Sequence, residues 1–140
     1  MTRRILVADD EPYITTILAS KLRQTGAQVI TCSDGEEAFA RAAENPPDLI
    51  VTDYQMPVMS GFEMSLRLRQ DPRTHSVPVL MLTARGHHLS AAQLAKTNIK
   101  ALFAKPFSAK EVLAKVEELL GPREDIRGDS DISGRGANAA

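Results

Sequence analysis

A single α/β domain with a doubly wound parallel sheet is the fold class this sequence predicts, and three observations carry the prediction. Short apolar runs alternate five times with helix-length amphipathic segments, the pattern of repeated βα units. The helical segments are bounded by capping and breaking residues. The 140 residues, 43% of them hydrophobic, are enough for one domain with one core, and hardly for two.

The elements follow in order. The first strand is read from RRILVAD, residues 3–9, and the helix after Pro12 places Ile14, Ile17, Leu18 and Leu22 on one face before Gly26, a C-terminal cap residue. AQVITC, 27–32, is the second strand. Ser33 or Asp34 caps the helix GEEAFARAAEN, 35–45, which the prolines at 46 and 47 stop. DLIVTD, 48–53, is the third strand, followed by a helix that Gly61 opens and Asp71-Pro72 closes. PVLMLTA, 78–84, is the fourth, and a weaker helix covers HLSAAQLAKT, 88–97, with Asn98 at its end, where a left-handed residue is tolerated. KALFAK, 100–105, is the fifth strand. Ser108 caps AKEVLAKVEELL, 109–120, and Gly121-Pro122 ends it. Beyond that point two large aliphatic residues in twenty cannot offset the entropy of ordering. Residues 1–121 are therefore read as the domain and 122–140 as a disordered tail or linker, with no output domain visible. The string RGDS at 127–130 is assigned no function.

Composition excludes several function classes. A net charge of −1 and a pI near 6.3 give no reason to expect direct nucleic-acid binding. The single Cys32 forms no internal disulfide, and no Cys/His set has zinc spacing. The apolar run after Arg3 and Arg4 is only four residues long, too short for a signal peptide, and no stretch reaches the length of a membrane span. A soluble cytoplasmic protein without membrane insertion is expected.

All strand C-termini of an open parallel sheet lie along one edge, where ligands bind near the reversal of strand order. On that edge the first strand ends at Asp9 and Asp10, the third at Asp53, the fourth at Thr83 and the fifth at Lys105. Taken singly, each has an ordinary role: an Asp at a strand end caps a helix or starts a turn, and a Lys there is solvated. Taken together they call for a counter-charge. Two carboxylates about 4 Å apart repel by about 4 kcal/mol at an effective dielectric of about 20, and a triad has three such pairs. Oxygen ligands without His or Cys suit a hard divalent cation, Mg²⁺ foremost, which keeps waters and takes a phosphoryl oxygen as a further ligand.

The motifs LVADDEP, LIVTDYQMPVMSGFE, LMLTA and AKPF, in this order over residues 4 to about 120, resemble the receiver domain of bacterial two-component response regulators, the CheY-like family. The resemblance implies a flavodoxin-like strand order 2-1-3-4-5. It makes Asp53 the phosphoacceptor, attacking the phosphoryl group of a phosphohistidine on a sensor histidine kinase or a histidine phosphotransfer protein. It implies Mg²⁺ held by Asp10, Asp53, the backbone carbonyl of Gln55 and, through water, Asp9. Thr83 and Lys105 would bind phosphoryl oxygens. Pro106 matches the family's cis-proline, Gly61 gives the loop after Asp53 its turn, and Met56 and Pro57 shape that loop. Where the family usually carries a switching Tyr or Phe, this chain has Leu102; Phe103 alternates to the other face. Gln55 and Arg85 lie two residues beyond Asp53 and Thr83, where the family tunes dephosphorylation. The implied output is a protein-interaction surface for a downstream protein target, with a phosphorylation-dependent dimer as a further partner state, and the implied chemistry is self-directed only.

Other readings weigh less. A phosphohydrolase of the haloacid dehalogenase type needs its nucleophile on the first strand and a second Asp two residues later, but Asp9 and Asp10 are adjacent and followed by Glu11 and Pro12. No G-x-G-x-x-G or Walker motif follows the first strand. A degenerate receiver serving as a constitutive interaction surface conflicts with the intact Asp9, Asp10, Asp53, Thr83 and Lys105 set. His75, His87 and His88 are read as solvated, Cys32 as a packed residue, and Met56, Met59, Met64 and Met81 as packing.

Overall fold

The computed structural model describes residues 2–84 and 88–121. The expected tail at 122–140, Arg85 and His87 lie outside the described residues. Five strands, β1 (Arg4–Ala8), β2 (Gln28–Cys32), β3 (Leu49–Asp53), β4 (Val79–Thr83) and β5 (Ile99–Ala104), alternate with α1 (Pro12–Gln24), α2 (Gly35–Glu44), α3 (Gly61–Gln70), α4 (Ala91–Ala95) and α5 (Ala109–Leu120). All pairings are parallel, as the sequence predicts, and the strand order is β2-β1-β3-β4-β5, as the resemblance implies.

Alternation along the strands divides the core in two. Ile5, Val7, Leu49, Val51, Leu80 and Leu82 pack with Leu18, Leu22, Val112 and Val116 of α1 and α5. Leu6, Ala8, Ile50, Val79 and Met81 pack with Ala38, Ala42, Met64 and Leu68 of α2 and α3. Because both faces are covered, every residue of β3 and β4 is buried, which is why those segments read as unbroken apolar runs. β5 is an edge strand with alternating exposure.

The helix caps explain the chain reversals that lead to the site. Pro12 opens α1 and Gly26, at φ 95, follows its C-cap Thr25. Asp34 caps α2, accepting the N–H of Glu37 at 2.7 Å. Ser60 and Glu63 form a reciprocal capping box on α3. Gly121, at φ 79, ends α5 as expected.

Three local features differ from the sequence reading. α4 has only five helical residues, none buried, since its alanine-rich face offers the sheet little beyond Leu94. The Thr97 hydroxyl donates to the Leu94 carbonyl at 3.0 Å and accepts the Ile99 N–H at 3.1 Å, drawing the chain out of the helix. Asn98 is not left-handed; it is buried, accepts from Arg69 at 2.7 Å and donates to the carbonyls of His75 and Val77. Finally, the β4–β5 register jumps between Val79 and Leu80, skipping Lys100. A one-residue bulge moves every later side chain to the opposite face. Phe103 thereby pairs with Leu82 and joins the α1/α5 core, and Leu102 pairs with Met81 on the face of the short α4, 42% exposed.

Candidate functional site

Strand order places the acidic residues together. β1 and β3 are neighbours in register Ala8↔Thr52, so Asp9 and Asp53, one residue further on, end adjacent strands at the point where the order reverses. Asp9 and Asp53 are buried, at 1% and 8% exposure, and Asp10 is exposed. One carboxylate oxygen from each of Asp9, Asp10 and Asp53 lies within 4.8 Å of the others. Thr83, buried at the end of β4, and Lys105, just past β5, complete the edge, and the Lys105 N–H donates to the Thr83 carbonyl at 2.7 Å. The Lys105-Pro106 peptide is cis.

The Lys105 ammonium enters the acidic cluster. Nζ lies 2.8 Å from Glu11 Oε1, 3.0 Å from Asp9 Oδ2 and 3.4 Å from Asp53 Oδ1. Glu11 is a partner that the sequence reading does not single out; its signal was its place in the acidic run itself. The Glu11 N–H donates to the other Asp9 oxygen at 2.9 Å.

Electrostatics follow from this crowding. Burial, then the charge of Asp9, pushes Asp53 up to about 6, although Lys105 and the Tyr54 N–H pull the other way. Burial also raises Asp9, offset only in part by the Glu11 N–H and Lys105. At Lys105 burial works to lower the pKa, but its hydrogen bonds and charge interactions with Glu11, Asp9 and Asp53 outweigh that and hold it above the ordinary lysine range.

The backbone around Asp53 is fixed on several sides. The Tyr54 N–H donates to the Leu82 carbonyl at 2.8 Å, the Gly61 N–H to the Tyr54 carbonyl at 2.7 Å, and the Thr52 hydroxyl to the Asp53 carbonyl at 3.0 Å. Gly61 has a different role from the turn expected of it. It is the first residue of α3 and sits so close to the Asp53 carbonyl that a Cβ would collide with it. Gly35 plays the same part at α2, where a Cβ would strike the Met59 carbonyl. The loop between them turns sharply at Val58. That residue has φ 69 and is 75% exposed, and the Met59 N–H donates across it to the Pro57 carbonyl at 2.7 Å. A β-branched residue held there stores about 1–3 kcal/mol of strain. With Asp10, Gln55, Met56 and Glu63, Val58 lines an open cleft of about 620 Å³ beside Asp53.

Among the described residues, His75, His88 and Cys32 lie outside this cluster. His75 is exposed, with Nδ1 3.2 Å from the Pro72 carbonyl, and His88 is exposed. Cys32 is buried, and that burial, reinforced by the charge of Glu37, pushes its thiol up to about 12, which suits a packed residue. Met59, Met64 and Met81 are buried and Met56 packs against the same core. Among the described residues no helix is long and apolar enough to cross a membrane.

Sheet order, acidic edge and inserted lysine together define a CheY-like receiver fold. The chain belongs to the response regulator receiver domain family, which matches residues 5–117. It is 39% identical over 132 residues to the alkaline phosphatase synthesis transcriptional regulatory protein PhoP of Bacillus subtilis, covering 94% of this chain and 54% of that protein. It is 38% identical over 120 residues to the phosphate regulon transcriptional regulatory protein PhoB of Rhizobium meliloti, covering 86% and 53%. The chain thus spans about half the length of these curated relatives. Among solved structures, the chemotaxis response regulator CheY4 of Vibrio cholerae matches with a TM-score of 0.78 and 29% identity, over 86% of this chain and 100% of that one. The receiver domain of a Pseudomonas aeruginosa sensor histidine kinase, solved with a magnesium ion coordinated in its active site cleft, matches with a TM-score of 0.76 and 25% identity, over 87% and 100%.

Proposed function

We propose that this receiver takes a phosphoryl group onto Asp53 from a phosphohistidine of a sensor histidine kinase or histidine phosphotransfer protein, and signals through a phosphorylation-dependent protein-interaction surface. The observation that carries this reading is the Lys105 ammonium 3.4 Å from Asp53 Oδ1 inside a cluster of carboxylates. An Asp53 oxygen attacks phosphorus, the P–N bond breaks, the electron pair returns to the imidazole, and an acyl phosphate forms. The clustered oxygen donors of Asp9, Asp10 and Asp53 fit Mg²⁺, with the Gln55 carbonyl as a further ligand, and the magnesium in the cleft of the Pseudomonas receiver favours the same cation. When bound there, such a cation would supply positive charge against phosphoryl oxygens.

This chain's own residues do the rest. Lys105 and Thr83 receive phosphoryl oxygens, and Gly61 lets α3 approach the backbone that carries the nucleophile. Change at Asp53 would reach the outer face of α4, β5 and α5 through Thr83 and the Lys105-Pro106 segment, with exposed Leu102 as part of that face. The site performs chemistry only on itself and works in the cytoplasm; residues 1–121 form the receiver and 122–140 a tail or linker. The downstream target is a protein, and dimerisation on phosphorylation belongs to the same output. Acetyl phosphate with Mg²⁺, followed by intact-mass measurement, tests this: one phosphoryl group is expected on wild type, none on Asp53→Asn and none in EDTA. Undiminished labelling of Asp53→Asn sinks the assignment.

A further inference from the structure

The Lys105 ammonium donates hydrogen bonds to Glu11 and Asp9, while Asp53 stands only within ion-pair distance of it. The shortest contact, 2.8 Å, is to Glu11, ahead of Asp9 at 3.0 Å and Asp53 at 3.4 Å. Glu11 stands outside the three-carboxylate cluster that suits a cation. It occupies the N-cap position of α1 yet makes no side-chain capping bond, because its carboxylate is turned to Lys105 instead.

Building on the phosphoacceptor reading, we propose that Glu11 is a positioning residue that competes with the phosphoryl group for Lys105. A phosphoryl oxygen arriving on Asp53 draws the ammonium toward Asp53, the farthest of its three partners, and so away from Glu11 or Asp9. Asp9 is fully buried, and its loss of a partner would strand a charge away from water. The Glu11 side chain is 60% exposed and returns to solvent at little cost. Glu11 therefore yields, and each binding event works against its hold on the lysine. Removing that hold should tighten phosphoryl binding without touching the nucleophile or the cation ligands.

The test uses beryllofluoride with saturating Mg²⁺ as the phosphoryl probe, titrated calorimetrically into wild type, Glu11→Gln and Glu11→Asp, with melting temperatures measured alongside. Glu11→Gln removes charge and grip together. Glu11→Asp keeps the charge but is one methylene shorter, and Asp is a favoured N-cap, so its carboxylate turns to the free N–H groups of α1. Both variants should bind the probe about three- to fivefold more tightly than wild type, the range an exposed ion pair permits. Unchanged affinity in Glu11→Gln overturns the inference. So does tightening in Glu11→Gln alone, since that makes Glu11 a diffuse negative charge and not a rival for the lysine. Wild type that binds no beryllofluoride overturns the phosphoacceptor reading and this inference with it, whereas wild-type binding with both variants unchanged overturns the inference alone.

Discussion

The two edges of the sheet handle charge in opposite ways. At the edge where the strands begin, Arg3 donates to Glu117 at 2.9 Å and to the Gly121 carbonyl at 2.5 Å. Arg4 donates through its guanidinium to the carbonyls of Asn45 and Pro46, and through its N–H to Asp48 at 2.8 Å. Each cation there is matched by local acceptors, and the bonds tie the end of α5 and the α2–β3 turn to β1. At the edge where the strands end, Asp9, Glu11 and Asp53 surround the ammonium of Lys105, and Asp10 adds a further carboxylate beside Asp9 and Asp53. Among the described residues, one edge matches its cations with acceptors from the fold, and the other gathers more carboxylates than cations.

If that contrast is right, removing a cation has unequal consequences at the two edges. Lys105→Met, measured in EDTA by denaturant unfolding, should cost about 3 kcal/mol, because it leaves buried Asp9 without its partner. A loss no larger than that of an exposed lysine substitution would show that the carboxylates do not depend on it.

The pH profile sharpens the same point. Asp53 is raised to about 6 in the folded chain, so the native state binds its proton more tightly than the unfolded state does. The sign follows from linkage: this residue's contribution is greatest at low pH and is lost as pH rises from about 4 to about 6, amounting to about 2–3 kcal/mol. Stability of wild type relative to Asp53→Asn, both in EDTA, should fall across that window. A flat difference would mean that Asp53 titrates as an ordinary carboxylate.

Gly35→Ala should destabilise by about 1–3 kcal/mol through overlap with the Met59 carbonyl. A glycine near the start of an uncrowded helix would instead gain stability on this change, so the sign alone decides whether α2 presses on the loop beside Asp53. The smallest effect is expected at the opposite edge. Arg3→Met removes a partly exposed pair with Glu117 and a bond to the Gly121 carbonyl and should cost about 1 kcal/mol, with no change in any response to Mg²⁺.

Much of this contrast was legible in the chain. β3 and β4 bury both faces and so read as apolar runs, and the strand ends carry Asp9, Asp10, Asp53, Thr83 and Lys105 in plain view. What escaped depends on partners distant in sequence or on backbone shape. Glu11 meets Lys105 across 94 positions, and adjacency in Asp9-Asp10-Glu11 does not reveal which carboxylate turns to the lysine. Asn98 has the composition of a helix end, but its side chain is recruited by Arg69 and by the carbonyls of His75 and Val77. The skip over Lys100 leaves no mark in the hydrophobic pattern, although the alternation of Phe103 and Leu102 to opposite faces is readable there and holds in the structure. Gly61 was visible as a glycine, but its reason, contact with the Asp53 carbonyl, is tertiary.

The charge left over at the strand-end edge can be examined without any phosphodonor, by melting the protein in EDTA and in Mg²⁺. A cation at a hundred times its dissociation constant stabilises the native state by about 2.7 kcal/mol. Wild type and Arg3→Met should both melt higher in Mg²⁺, and Asp10→Asn should lose most of the rise. Identical melting of wild type in EDTA and Mg²⁺, or an undiminished rise in Asp10→Asn, would contradict the assignment of this edge as a cation-assisted phosphoryl site.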